Sequence, residues 1–242
     1  MTERALETNH DNTLVFLHGF LGSGEDWITI MKTFSESARC ISVDLPGHGK
    51  STLHGMKSAT EEPCLSLEIV ADILHKLIHH VTPAKVTLVG YSMGARIALY
   101  MALRFSSKIK GAVLISASPG LKDKLARKIR AAKDDSRARS VIAHGLQLFL
   151  SSWYAGELWK RPLWEDLPNC RVPLLIIHGE KDKKFKKIAE AMMNTICSGL
   201  GSKVEEVNDI HEVVEIPNCG HAAHLENPLP VIAALRQFIS KL

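Results

Sequence analysis

Gly90-Tyr91-Ser92-Met93-Gly94 places a serine between two glycines, after the apolar run 86–90 (VTLVG) and at the opening of an Ala-rich helical segment. G-x-S-x-G is weak on its own, but strand, sharp turn and helix in that order are what an exposed nucleophilic serine needs. The glycines allow the tight turn and close approach of neighbouring backbone. The turn lifts the hydroxyl above the strand ends, and the helix N-terminus behind it favours developing negative charge. A serine hydroxyl is inert without a base, and the base needs an acid to orient it, in the chain order Ser, Asp, His for this kind of elbow. Asp182 follows the run 173–178 in Gly179-Glu180-Lys181-Asp182, with Glu180 as a competitor nearer the strand end. His221 follows the last apolar run in Pro217-Asn218-Cys219-Gly220-His221, with His224 as the rival base. Ser92, Asp182 and His221 are therefore the expected catalytic residues.

His18-Gly19-Phe20 follows the first apolar run, where a loop donating to an oxyanion belongs; the backbone N–H groups of Phe20 and Met93 are the expected donors. Asp44-Leu45-Pro46-Gly47-His48-Gly49 ends the next run and reads as a structural turn. His221 and His224 have the spacing of a metal pair, but no carboxylate or cysteine cluster completes a site, so neither a metal nor another cofactor is expected.

These residues can meet only if strands and helices alternate. Short β-rich runs ending at turn signals lie at 13–17 (TLVFL), 40–45 (CISVDL), 86–90 (VTLVG), 112–116 (AVLIS), 173–178 (PLLIIH) and 213–216 (VVEI). Helical periodicity runs over 65–80, where Leu67, Val70, Leu74, Leu77 and Ile78 share a face, and over 94–105, 185–197 and 228–242. Near-continuous apolar strands alternating with helices predict an α/β fold, a mostly parallel sheet with helices on both faces.

One segment breaks the alternation. From Pro119 to Leu167 there is no strand pattern, only a basic helical stretch followed by LQLFLSSWYAGELWKRPLW, which holds Trp153, Trp159 and Trp164 of the four tryptophans. The expected organisation is a core first part over 1–118, a helical lid over 119–167 and a core second part over 168–242.

The 242 residues suit one domain, and 45% hydrophobic with 23% charged residues is ordinary for a globular protein. No apolar run is long enough to span a bilayer, so no membrane partner is expected. The polar opening MTERALETNHDN reads as neither a secretory signal nor a transit peptide. Five widely spaced cysteines without a CxxC predict neither a disulfide framework nor zinc. The basic run Lys122, Lys124, Arg127, Lys128, Arg130, Lys133, Arg137 and Arg139 reads as a solvated helix face; without interleaved aromatics it does not predict nucleic-acid binding.

HGFLGSGEDW, DLPGHGKS, GYSMGAR, SASPGL, HGEKDKKF and CGHAAHLENP together resemble, over nearly the whole chain, the 2-succinyl-6-hydroxy-2,4-cyclohexadiene-1-carboxylate synthases of menaquinone and phylloquinone biosynthesis. The wording is most similar to the plant form, a domain of a larger fused plastid protein. The resemblance implies the α/β-hydrolase fold, a lyase reaction and a plastid location, the cytoplasm being the alternative; the helical lid of this chain is short. In that reaction a ring proton is removed and pyruvate is expelled from an enol ether, with Ser92 made basic by His221 and Asp182. It also implies Tyr91, Arg96, Arg130 and Trp153 as substrate-binding residues. The residue chemistry agrees in part, because a small substrate with several carboxylates calls for arginine, whose planar fork matches a carboxylate. Arg96 lies one helical turn past the serine, where an ester hydrolase has no need of a cation. After Trp153 the family pattern continues with several tens of residues of lid helix, whereas here the chain passes at Lys160-Arg161 directly towards the next strand. Two other readings remain open: a serine hydrolase (carboxylesterase or C–C hydrolase) on the same triad, and an inactive or receptor-like member.

Overall fold

In the four central strands, alternate residues are buried on opposite faces of one sheet, and both sets are largely apolar. The computed structural model describes residues 12–51, 65–140, 161–199 and 210–242. Its strands are β1 (Thr13–Leu17), β2 (Arg39–Val43), β3 (Val86–Tyr91), β4 (Ile109–Ile115), β5 (Leu174–Gly179) and β6 (His211–Ile216). They form a six-stranded sheet in the order β2-β1-β3-β4-β5-β6, and each neighbouring pair is parallel. Val15 and Leu17 of β1, Leu88 of β3, Leu114 of β4 and Ile176 of β5 enter one core layer. Leu14 and Phe16, Val89, Val113 and Ile115, Leu175 and Ile177 enter the other. A sheet with two apolar faces must be covered twice.

The first layer is closed by α2 (Leu67–Val81), α3 (Met93–Arg104) and α5 (Lys183–Gly199). The second is closed by α1 (Ile28–Phe34), the one-turn helix α6 (Ala223–Glu226) and α7 (Pro228–Ile239), with Trp27 completely buried beneath them. Helix α4 (Lys124–Ser140) belongs to the segment between β4 and β5. The order of strands reverses between β1 and β3, so the loops leaving their C-terminal ends face each other across a crevice. That is where α/β sheets place their ligands.

Several boundaries differ from the sequence expectation for local reasons. The second run stops at Val43 rather than residue 45, because the Asp44 carboxylate takes the N–H of Gly24 at 2.7 Å and of Lys50 at 2.8 Å. That turns Asp44 from a strand residue into the clasp of two loops, as its turn-forming context predicts. β4 begins at Ile109, earlier than expected, and the charged Lys108 and Lys110 hide it from a hydrophobicity pattern. It ends before Ser116, whose φ of 51° stops the strand. Helix α1 was not anticipated, because ITIMKTF is rich in β-branched residues; Ser23 and Asp26 start the preceding 3-10 turn with a reciprocal capping box.

Candidate active site

Ser92 sits between β3 and α3 with φ 50° and ψ −104°, a conformation that side-chain-bearing residues rarely adopt. Two anchors hold it there: its N–H donates to the Ile115 carbonyl at 2.8 Å, and its carbonyl accepts the N–H of Arg96 at 3.1 Å. The flanking glycines admit no side chain. A Cβ on Gly94 would lie 2.2 Å from the Leu17 carbonyl oxygen, and one on Gly90 would lie 2.5 Å from that of Gly94. Since Gly tolerates such a backbone and Ala does not, Ser92→Gly is expected to be more stable than Ser92→Ala by about 1–2 kcal/mol. Urea denaturation of the two variants, both lacking the hydroxyl, checks this.

The hydroxyl of Ser92 lies 3.2 Å from Nε2 of His221, and Nδ1 of His221 lies 2.7 Å from Oδ2 of Asp182. Asp182 also accepts the Phe185 N–H on its other oxygen at 3.1 Å, at the start of α5. One carboxylate thus caps a helix and orients an imidazole. Its side chain is 12% exposed, while that of His221 is 39% exposed, so the base reaches solvent more than the acid does. Glu180 plays a different part, taking the Asn218 N–H at 2.7 Å. Together with hydrogen bonds from Glu180 to Ile216 and from Lys181 to Cys219, this ties the loop after β5 to the loop after β6.

His224 is also settled by its surroundings. It is 2% exposed and packs, with tilted rings, against Trp27 at 4.5 Å and Tyr91 at 4.3 Å between ring centroids. Burial pushes its pKa down to about 4, and burial does the same to His48 and His211. In the unfolded chain these rings take a proton near the ordinary value of 6.5. The fold accommodates only the neutral rings, so their contribution is intact above the unfolded value and is lost as pH falls through the folded value of about 4. Unfolding free energy is therefore expected to drop by at least about 2 kcal/mol between pH 7 and pH 5, measurable by urea titration at the two pH values.

The loop after β1 is held by His18, which is fully buried. Its Nε2 accepts the Leu45 N–H at 2.9 Å, so its Nδ1 carries the proton and donates to the Gly19 carbonyl at 2.7 Å. Gly19 packs against the Tyr91 ring, where a Cβ would approach to 2.7 Å. Phe20 follows, 37% exposed. Met93 opens α3, whose first-turn N–H groups have no partner within the helix. The two expected oxyanion donors thus belong to the loop after β1 and to the first turn of α3, on the two sides of the crevice.

Arg96, on the first turn of α3, reaches the segment after β4. A Cβ on Gly120 would lie 2.9 Å from an Arg96 Nη atom and 3.0 Å from Pro162, and Gly120 has φ 111°. The Gly in SASPGL is thus required twice, by its conformation and by the guanidinium beside it. Trp164 donates its indole N–H to the Gly120 carbonyl at 2.8 Å, Leu163 donates to Pro119 at 2.8 Å, and the Lys122 ammonium lies 4.2 Å above the Trp164 ring. The two ends of the segment between β4 and β5 are therefore joined beside Arg96. Arg130, on α4, pairs with Asp134 at 2.5 Å; Asp134 is buried and the Arg130 side chain is half exposed. Trp153 lies outside the described residues, as do Trp159 and Lys160.

Sequence reasoning missed several residues that hold the site. Phe185 packs on the His221 ring at 4.5 Å, Ser116 donates to the His221 carbonyl at 2.7 Å, and Glu226 takes two N–H groups beside His221. Nothing in their local pattern marks them, because each acts on a residue distant in sequence or through backbone. Among the described residues, no group of three His, Cys, Asp or Glu is placed to hold a metal ion, and no helix is long and apolar enough to cross a membrane.

An elbow serine, a histidine and an aspartate in hydrogen-bonded series, set over a parallel sheet, define the class, and the chain belongs to the α/β hydrolase fold family, whose model matches residues 12–158. Within that class its relatives are narrower in kind. It is 47% identical, over 98% of its length, to the Arabidopsis thaliana protein PHYLLO, chloroplastic, of which it spans 16%. It is 28% identical to the putative 2-succinyl-6-hydroxy-2,4-cyclohexadiene-1-carboxylate synthase of Bacillus subtilis, with 97% of this chain and 92% of that protein covered. Among solved structures, MenH from S. aureus superposes with a TM-score of 0.81 at 25% identity, covering 96% of this chain and 94% of that one. A thermophilic esterase from Thermogutta terrifontis superposes with a TM-score of 0.77 at 21% identity, a likeness of fold. The alignment to the plant protein runs over 273 residues, longer than this chain, so that relative has residues with no counterpart here.

Proposed function

We propose that this chain is a carbon–oxygen lyase that eliminates pyruvate from an enolpyruvyl cyclohexene carboxylate in menaquinone and phylloquinone biosynthesis, a reading supported by bacterial relatives named as 2-succinyl-6-hydroxy-2,4-cyclohexadiene-1-carboxylate synthases. The observation that carries the reading is Arg96, a cation one turn past a triad serine and facing the joined ends of the β4–β5 segment. It accompanies relatives named as synthases whose whole length the chain nearly covers. Ser92 acts as the base, passing its proton to His221 as it takes the ring proton, while Asp182 holds the imidazole in the tautomer that accepts at Nε2. The C–H electron pair becomes a ring double bond as the C–O bond to the enolpyruvyl group breaks, and the departing enolate takes up a proton to become pyruvate. The N–H groups of Phe20 and Met93 stabilise charge on the ketone oxygen.

Arg96 and Arg130 bind carboxylates of the substrate, Tyr91 and Trp153 are further substrate-binding residues, and residues 119–167 act as the lid that excludes water. Its partner is thus a small anionic substrate, and the similarity to a chloroplastic plant protein supports a plastid location and membership of a larger fused polypeptide. The test is pyruvate release from the enolpyruvyl precursor, followed by a coupled assay beside nitrophenyl ester cleavage. Pyruvate is the expected product; rapid ester turnover without it would transfer the triad to a hydrolase, and silence in both would make the chain a non-catalytic member.

A further inference from the structure

His221 is carried on a short loop between β6 and α6, and its hydrogen bonds to Ser92 and Asp182 involve only the ring. Its main chain is fixed separately. The Glu226 carboxylate takes the N–H of Gly220 on one oxygen at 2.7 Å and the N–H of Ala222 on the other at 3.0 Å. Those two N–H groups flank His221 in the chain, so a single charged side chain holds the peptide on each side of it. The carbonyl of His221 accepts the Ser116 hydroxyl at 2.7 Å, and Ser116 itself is buried, held by its N–H to the Ile177 carbonyl at 2.8 Å. Ser116 adopts φ 51°, a left-handed conformation that disfavours a side chain, and it does so at the point where its hydroxyl meets the histidine loop. Hydrogen bonds to Gly220 and Ala222 are the leading reasons that the Glu226 carboxyl lies below the ordinary carboxylate range. Asn227 closes the same loop further away, donating to the Pro217 carbonyl at 3.0 Å.

We infer that Glu226, with Ser116, is a positioning residue for His221: it clamps the peptide groups around the imidazole so that Nε2 is aimed at Ser92. Neither side chain hydrogen-bonds to the imidazole, so the positioning passes through the peptide groups on either side of it. A displacement of the imidazole by a fraction of an ångström lengthens the 3.2 Å contact to Ser92, on which proton transfer depends.

The inference rests on the triad reading alone, and not on the identity of the substrate, so it is tested with a fluorophosphonate probe. Ser92 Oγ attacks phosphorus, the P–O bond forms as the P–F bond breaks, fluoride leaves, and the serine proton passes to His221. Labelling is followed by intact mass, giving kinact and KI. In Glu226→Ala, kinact is expected to fall about tenfold with KI unchanged. Glu226→Gln, which keeps one acceptor, falls between it and the wild type, and Ser116→Ala lowers kinact in the same direction. Glu226→Gln retains the shape of the side chain and serves where the alanine variant folds poorly. A Glu226→Ala kinact within about twofold of wild type overturns the inference, as does an equal loss in Asn227→Ala, which would mark a general loosening of the loop. Failure of the lyase reading looks different: labelling of Ser92 stays intact while no pyruvate is released.

Discussion

Ser92→Ala is expected to lower pyruvate release by about 10²- to 10⁴-fold, the range for removing a positioned proton acceptor. Deleting the hydroxyl leaves His221 with its partner Asp182 at 2.7 Å, and leaves Phe20 in its loop and Met93 at the start of α3, so substrate binding is expected to persist. The loss therefore appears in kcat with KM little changed, the signature of an interaction used in the transition state. The size of the residue of activity is informative. A lyase retains whatever elimination the oxyanion donors and bound carboxylates support, with water as the base, whereas a hydrolase that needs an acyl-enzyme on Ser92 loses its covalent route altogether. Steady-state kinetics of Ser92→Ala and the wild type on the enolpyruvyl precursor, with a thermal melt to establish folding, distinguish these outcomes.

Arg96→Ala is the second large effect, expected to reduce kcat/KM by about 10- to 150-fold, equivalent to losing one charge-assisted contact of roughly 1.5–3 kcal/mol. The loss falls on KM more than on kcat if the guanidinium grips a remote carboxylate. Arg96→Lys is expected to recover only part of it, because an ammonium lacks the planar fork. Arg96 also packs beside Gly120, whose carbonyl anchors Trp164. The truncation therefore loosens the joined ends of the β4–β5 segment, and the lysine variant separates lost charge from lost packing. Unchanged kinetics in Arg96→Ala would remove the observation on which the lyase reading depends most.

The residues of the triad were legible because each stands at a point where local rules change. Gly90 and Gly94 mark the elbow, the apolar strand before them and the helix after them give it direction, and Asp182 and His221 follow strand ends in the required order. Competition between Asp182 and Glu180, or between His221 and His224, was resolved by sequence position, and in the structure Asp182 and His221 are the pair hydrogen-bonded in series with Ser92. Only the tertiary structure supplies the reason: Glu180 is engaged with Asn218, and His224 is buried against Trp27 and Tyr91.

The amino-acid sequence alone determined the alternation of strands and helices, the two-sided burial of the sheet and the order of the chemical groups. These follow from periodicity and turn chemistry, which are properties of neighbouring residues. The tertiary structure alone decided what holds the groups in register: Asp44 joining Gly24 to Lys50, Gly120 making room for Arg96, and Ser116 and Glu226 gripping the main chain around His221. Such contacts link residues up to 105 positions apart or act through peptide groups that every residue carries, so no local pattern records them. The triad could be read from the chain, but the scaffolding that aims His221 at Ser92 exists only once the chain has folded.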